Sequence, residues 1–247
     1  MKRATAIFFL LAATSCGPLR SAPRGETSYF PMSADRVWEY HFRHLESGDV
    51  WPVIVHSRGP GFVPALGRIA AIFDEDYPDQ SVPVAFFLEK GFLQSEIGLR
   101  YRVEHGVELM PIGIQPMRVM PMPPRVGMQW AYLEQVFGST PDGATLNIRW
   151  TGSVSREESV VVPAGVFRDC LRIESIAVHR LPMEPHPRAY RYVDWYAPNV
   201  GLVKNEYASG ADQQVFTRME LVSYLNDRDS GPPTPSTQSN LVVAGLR

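Results

Sequence analysis

Chemistry in this chain would have to come from histidines, clustered acids or thiols, and their spacing can be tested residue by residue. The six histidines are His41, His44, His56, His105, His179 and His186. A metal site needs convergent ligands, as in HExxH or CxxC, and neither pattern occurs. His41 and His44 are three apart, which on a strand sends them to opposite faces. They read as solvated hairpin residues rather than ligands. Asp74, Glu75, Asp76 and Asp79 offer the oxygen ligands that Ca²⁺ prefers. The EF-hand spacing is missing, because Asp79 stands where the loop's sixth-position glycine belongs and Ala85 where its twelfth-position glutamate belongs. A solvated acidic loop is expected there, with no metal and no cofactor.

Nucleophiles fare no better. No G-x-S-x-G elbow and no glycine-rich phosphate loop is present. Cys170 sits in a strand-like context between Asp169 and Leu171, which predicts a structural, half-buried thiol rather than a reactive one. Glu157 and Glu158 are adjacent, so a regular strand points them apart. No catalysis is expected. The rival reading is an envelope hydrolase whose site is assembled from scattered residues.

Cys16 is the remaining thiol, and its surroundings are distinctive. Lys2 and Arg3 precede the apolar run Ala4 to Ala13, which is shorter than the roughly 20 residues that span a bilayer. A charged start, a short apolar stretch and small residues form an export signal, which is removed and takes no part in the fold. Ala13-Thr14-Ser15-Cys16-Gly17 then resembles the lipobox of bacterial lipoproteins, although Ala13 stands where the pattern prefers leucine. That resemblance implies a signal peptide over 1–15 and lipid, palmitate included, on Cys16. Two or more acyl chains anchor a protein stably where one does so marginally. Gly17 in place of an aspartate favours the outer membrane over the inner one in a cell that has both.

The elements that would position a site follow from composition and turn signals. The chain is 45% hydrophobic and 20% charged, ordinary values for a folded domain. Its formal charge of −2 becomes two units more negative once Lys2 and Arg3 are removed. A mildly acidic chain without basic runs is a poor partner for nucleic acid. With Cys16 lipidated, Cys170 has no partner for an intramolecular disulfide. Residues 16–28 carry the lipidated cysteine and a Gly/Pro/Ser-rich tether, and 226–247 read as a flexible tail. The body between them, 29–225, is long enough for one sizeable core.

In the second half of that body, runs of β-branched and aromatic residues alternate with turns, predicting antiparallel strands. They fall at Gln129–Gly138, Ala144–Glu157, Ser159–Val162, Val166–His179, Arg188–Ala197, Leu202–Ser209 and Gln213–Leu225. Pro141-Asp142-Gly143, Pro163-Ala164-Gly165 and Pro198-Asn199-Val200-Gly201 each place proline early and glycine late, as tight turns require. Tyr190, Tyr192, Asp194 and Tyr196 alternate with Arg191, Val193 and Trp195, so that strand should lie between two layers or in a curved sheet. The first half predicts strands at Val37–Arg43, Val50–Ser57, Leu99–Glu104 and Val107–Pro111. Pro64 to Phe73 and Val84 to Leu93 remain open between helix and strand. The fold class is mainly antiparallel β, as a curved sheet, open barrel or sandwich with one or two short helices. Pro31 with Trp38-Glu39-Tyr40 recurs in spacing as Pro123 with Trp130-Ala131-Tyr132, either a trace of two related halves meeting near 115–125 or a coincidence among aromatics.

Three blocks add a resemblance: Tyr29-Phe30-Pro31 with Trp38-Glu39-Tyr40, then Val160-Val161-Val162-Pro163-Ala164-Gly165-Val166-Phe167 with Cys170-Leu171, then Trp195-Tyr196-Ala197-Pro198-Asn199-Val200-Gly201-Leu202-Val203-Lys204. Together they are similar to blocks of bacterial exported lipoproteins of a domain of unknown function, some described as TapB-like. The resemblance implies an all-β domain of the cell envelope, with no reaction, cofactor or catalytic residue to carry over. The expected work is binding or structural. Its partners would be the membrane, through the anchor, and either another envelope protein or an apolar ligand. Pro52 to Phe92 lies outside those blocks and reads as an irregular insertion, the kind of segment that carries function. Asp74, Asp76, Asp79, Phe86 and Phe87 are therefore the candidate binding region.

Overall fold

The computed structural model describes residues 28–95, 117–139, 145–180, 186–209 and 214–225. They form a single antiparallel sheet of twelve strands. In chain order these are β1 (Arg36–His44), β2 (Val50–Val63), β3 (Arg68–Tyr77), β4 (Gln80–Glu89), β5 (Phe92–Ser95) and β6 (Met117–Pro121). The second half comprises β7 (Gln129–Ser139), β8 (Thr145–Val162), β9 (Gly165–Arg180), β10 (Arg188–Ala197), β11 (Gly201–Ser209) and β12 (Gln214–Leu225). Successive strands pair as a meander, with one long-range pairing between β1 and β12. The chain's outer strands thus seal the sheet, and its two edges, β6 and β7, fall in mid-sequence. Those edges lie against each other, and the Trp130 indole donates to the Arg118 carbonyl across the seam at 3.2 Å. The result is a nearly closed barrel, curled with the help of register shifts in several of its ladders.

The strands form where side chains alternate between a dry and a wet face. In β1, Trp38 and Tyr40 are buried while Glu39 and His41 face outward, and Phe42 stacks on Trp51 of β2 with centroids 4.8 Å apart. One end of the barrel is plugged by the segment entering β1. The Phe30 ring meets Phe73 at 5.7 Å and Phe86 at 4.7 Å. Backbone bonds hold this plug, from Asn199 N–H to the Ser28 carbonyl (2.7 Å) and from Asp35 N–H to the Ser57 carbonyl (3.0 Å). Gly201 has φ of +99°, and a Cβ there would sit 3.3 Å from Pro31 Cδ. Glycine therefore serves both the turn and the seat of the plug.

On the outside, the tip of the β8–β9 hairpin folds over β10, β11 and β12. Val160, Val162 and Cys170 belong to the same buried cluster as Val193, Trp195, Val203 and Leu221. The Ala164 N–H donates to the Leu221 carbonyl at 2.9 Å, and the Trp195 indole donates to Glu158 at 2.6 Å. So β10 does lie between two layers, which is why both of its faces carry bulky residues.

Several expectations change. β8 runs unbroken through Glu158, where a register shift replaces the anticipated break. Pro64–Leu66 is a single 3-10 turn, and the rest of Pro52 to Phe92 is strands β2, β3 and β4 joined by short turns rather than an irregular insertion. Gly59 sits at a β-bulge, with the register shifting between Ser57 and Gly59, while Gly61 pairs with Ala70 in the ladder and Gly67 caps the 3-10 turn. Both Trp-x-Tyr pairs open a six-stranded half of the meander, β1 to β6 and β7 to β12. The strands expected at Leu99–Glu104 and Val107–Pro111, the Pro141 turn, and residues 1–27 and 226–247 lie outside the described residues.

Candidate binding cavity

Inside the barrel, next to β1, β2 and β3, the side chains leave a cavity of about 290 Å³. This is close to the lower end, about 300 Å³, of the range typical of small-molecule sites. Its walls are Trp38 and Tyr40 from β1, Val53 and Val55 from β2, and Phe73 from β3. Phe86 of β4, Met117 and Val119 of β6, and Leu202 and Met219 from the last strands complete the apolar lining, with Phe30 and Pro31 at one end. The polar tips of the aromatic walls are already engaged. The Trp38 indole donates to the Val200 carbonyl at 2.7 Å and the Tyr40 hydroxyl to the Leu202 carbonyl at 2.9 Å. What those residues present inward is hydrocarbon.

The buried Ser95 and one carboxylate interrupt it. Glu75 lines the cavity beside Tyr77, whose hydroxyl donates to Glu75 Oε2 at 3.0 Å. Burial, then the Glu75 charge, raises the Tyr77 hydroxyl far above its ordinary pKa, and Tyr40 is raised by the same two causes. These phenols stay protonated hydrogen-bond donors.

The interior beside β7 to β12 is filled instead. Rings run from Trp130 to Tyr132 (5.3 Å), Trp150 (4.9 Å), Tyr192 (5.2 Å), Tyr207 (5.0 Å) and Phe216 (6.5 Å). Asp194 lies among them, accepting a hydrogen bond from Asn205 Nδ2 at 2.6 Å. Burial pushes its carboxyl up to about 6 against the partial relief of that bond. Tyr196 stands between the two regions, its hydroxyl raised by burial and then by the charge of Asp194.

Of the residues chosen from the sequence, Phe86 lines the cavity. Phe87, one position on, points the other way and packs with Ala70 and Ala85 beneath the Arg68 guanidinium, which lies 4.6 Å from its ring centroid. Asp74 forms a two-pronged pair with Arg58, with Nη2 to Oδ1 at 2.6 Å. Asp76 lies 3.5 Å from His56 Nε2, and Asp79 is in the exposed β3–β4 turn. The structure thus separates these five residues between two faces. Sequence reasoning passed over Glu75 and Tyr77 as site residues. Their signal is the spacing Ala71, Phe73, Glu75, Tyr77, a period of two that puts an acid on the dry face.

Cys170 is fully buried rather than half-buried, with Sγ 3.6 Å from the Phe167 carbonyl. Burial, and then Asp169, pushes its thiol up to about 11, which leaves it unreactive. Among the described residues no three His, Cys, Asp or Glu side chains converge as a metal site would require. No described helix is long and apolar enough to cross a membrane.

Fold and cavity together define an antiparallel β meander curled around an apolar interior. In sequence, residues 146–219 match the DUF3108-like family model. That stretch contains both the Val160–Phe167 and the Trp195–Lys204 blocks, so the resemblance to a domain of unknown function holds there. Two solved structures share the fold. One is a candidate lipoprotein from Parabacteroides distasonis, with 16% identity and a TM-score of 0.55 over 81% of this chain and 99% of that one. The other is a candidate exported protein with a YmcC-like fold from Bacteroides fragilis, with 13% identity and a TM-score of 0.52 over 81% of this chain and 100% of that one. No curated protein matches the chain.

Proposed function

We propose that this chain is a lipid-anchored protein of the cell envelope that holds an apolar small molecule inside its barrel. The observation that carries the binding reading is the cavity of about 290 Å³, walled by Val53, Val55, Phe73 and Phe86 and backed by aromatics whose polar tips are engaged elsewhere. A closely packed interior leaves few voids larger than a water molecule. Hydrocarbon buried there would gain about 25 cal/mol per Å² removed from water. The envelope reading draws on Lys2-Arg3, the short apolar run and Cys16, and on the descriptions of the two structural relatives as exported or lipoprotein. Gly17 after the cysteine points to the outer membrane.

Two measurements test the two parts. Cys16→Ala should move the protein from the membrane to the soluble fraction and remove acyl mass from the intact chain. A variant that stays in the membrane with acyl mass refutes the anchor. Organic extraction of that soluble variant, purified without detergent, should release an apolar compound at near one equivalent per chain. If extraction yields nothing and the variant takes up no apolar probe, the cavity is not a binding site.

A further inference from the structure

Resting on the reading that Cys16 carries lipid, we infer that the barrel stands on the bilayer through one end, with a rim of Phe62, Ile69, Leu88 and Val126 seated among the lipid headgroups. In an antiparallel meander every second connection falls at the same end. The start of β1 therefore shares its end with the β2–β3, β4–β5, β6–β7, β8–β9 and β10–β11 connections and with the finish of β12. All five connections lie among the described residues. Of the nine large apolar side chains exposed among the described residues, seven belong to strand ends or connections at this end. Single exposed apolar residues are ordinary, whereas such a grouping marks contact with a protein or a membrane. Phe62 and Ile69 face each other across the β2–β3 ladder. Ile69 and Leu88 each lie two residues beyond the Ala71–Phe86 pair, on the far side of the plug at Phe30. The Met122 N–H donates to the Gly91 carbonyl at 2.8 Å, which brings the β6–β7 connection and Val126 against the β4–β5 turn. Phe62 is 64% exposed and Val126 51%.

The anchor selects the occupant of this rim. Ser28, held by Asn199 of the β10–β11 turn, is at the same end and stands twelve residues after Cys16. A chain of that length reaches roughly 40 Å at full extension. β1 alone, nine residues, is about 30 Å long. Resting on the opposite end would stretch most of that chain along the flank of the barrel, whereas resting on the near end needs no stretch. Lys90 and Arg125, exposed beside Leu88 and Val126, suit the level of lipid phosphates, and Glu89 in the same turn is paired with Arg68 at 3.2 Å. Apolar groups with basic neighbours enter the boundary between headgroups and acyl chains by about 5–10 Å, while long basic side chains keep their charge at the surface.

The test uses the lipidated full chain in vesicles of phosphatidylethanolamine and phosphatidylglycerol. Phe62→Cys, Val126→Cys and Val50→Cys each carry an environment-sensitive fluorophore, since Cys16 is blocked by lipid and Cys170 is buried. Val50 is the control, equally an exposed valine or larger residue but at the opposite end of β2. The labels at positions 62 and 126 are expected to shift to the blue and to lose emission when the vesicles contain nitroxide-labelled lipid, while the label at 50 keeps its aqueous emission. Adding Ile69→Asp and Leu88→Asp should remove most of the blue shift at position 126, with the chain still in the membrane fraction and its circular dichroism spectrum unchanged. Water-like emission at all three positions, in a chain that carries acyl mass and pellets with the vesicles, overturns the inference and leaves the anchor standing. A label at 62 that is already shielded in soluble Cys16→Ala without vesicles also overturns it, because residues 226–247 or a second copy then cover the rim. If the chain carries no acyl mass, the anchor reading itself fails, and this inference with it.

Discussion

Beside β1, β2 and β3 the inward side chains leave a void of about 290 Å³, whereas beside β7 to β12 a continuous run of six rings fills the same barrel. Valines Val53 and Val55 stand among the aromatics that line the void, while the filled region sets Trp130, Tyr132, Trp150 and Tyr192 ring against ring. Even the smallest residue on the filled side serves packing. A Cβ on Gly152 would collide with Tyr132 Cε2 and come within 2.9 Å of Trp130 Cζ2. The run from Trp150 to Phe216 falls within the stretch that matches the family model, whereas Val53, Val55 and Phe73 at the void fall outside it.

The largest expected effect comes from breaking the filled side. Trp130→Ala should cost about 3–5 kcal/mol, because it removes a buried ring that also ties the seam through its indole. Gly152→Val should cost about 1–3 kcal/mol or more, since two ring systems would have to move. Urea unfolding checks both. If either variant unfolds at the parent's midpoint, the aromatic run is not the stability centre of the barrel.

How much of this was legible in the sequence depends on which half is read. In the second half, the turns Pro163-Ala164-Gly165 and Pro198-Asn199-Val200-Gly201, with proline early and glycine late, mark strand ends within a few residues. The expected break between Glu157 and Ser159 is absent, and the strand runs on there through a register shift. Pro52 to Phe92 misled because Gly59, Pro60, Gly61 and Pro64 look like loop punctuation. Gly59 has φ of +74° in the bulge, and a Cβ there would lie 2.7 Å from Ala34 Cβ. These residues let a long strand bend past the plug, which depends on a contact distant in sequence. The site was hidden for a related reason. Asp74, Glu75 and Asp76 read as one acidic loop until strand pairing places Asp74 against Arg58 and Glu75 inside. The strand period alone could assign neighbours to opposite faces, but not say which face was dry.

A smaller effect should sharpen the comparison through its two inward acids. The Asp194 carboxyl sits at about 6 in the folded chain, against about 3.9 unfolded. The unfolded chain loses this proton as pH rises through about 4, and the folded chain keeps it until about 6. Asp194 therefore lowers stability progressively across that window and by its full amount above it. Two pKa units correspond to nearly 3 kcal/mol, a net figure that already includes the relief from the Asn205 hydrogen bond. Asp194→Asn should stabilise the protein by about 1–3 kcal/mol at pH 7, with the gain gone below about pH 4. Urea midpoints at the two pH values measure it. An equal gain at both would show that desolvation of this acid is not the cause.

The smallest expected change in stability is the most telling about the hollow side. Val55 lines the cavity, pairs across the ladder with Trp38 on one side and Glu75 on the other, and is only partly buried. In a close-packed core, enlarging valine to phenylalanine forces strained rotamers and costs about 1–3 kcal/mol. Here the added ring has an apolar void to enter, and its burial offsets the lost side-chain entropy. Val55→Phe should therefore unfold within about 1 kcal/mol of the parent, while uptake of a neutral apolar fluorophore falls sharply because ring and ligand compete for one volume. The same enlargement at Gly152 has no void to use, so the pair of variants isolates space from chemistry. Should Val55→Phe prove as damaging as Gly152→Val, the cavity closes in solution and the hollow and filled regions differ in shape but not in packing. Should it fold normally and still take up fluorophore, the probe binds elsewhere, and the interior of the barrel is not where this protein carries its ligand.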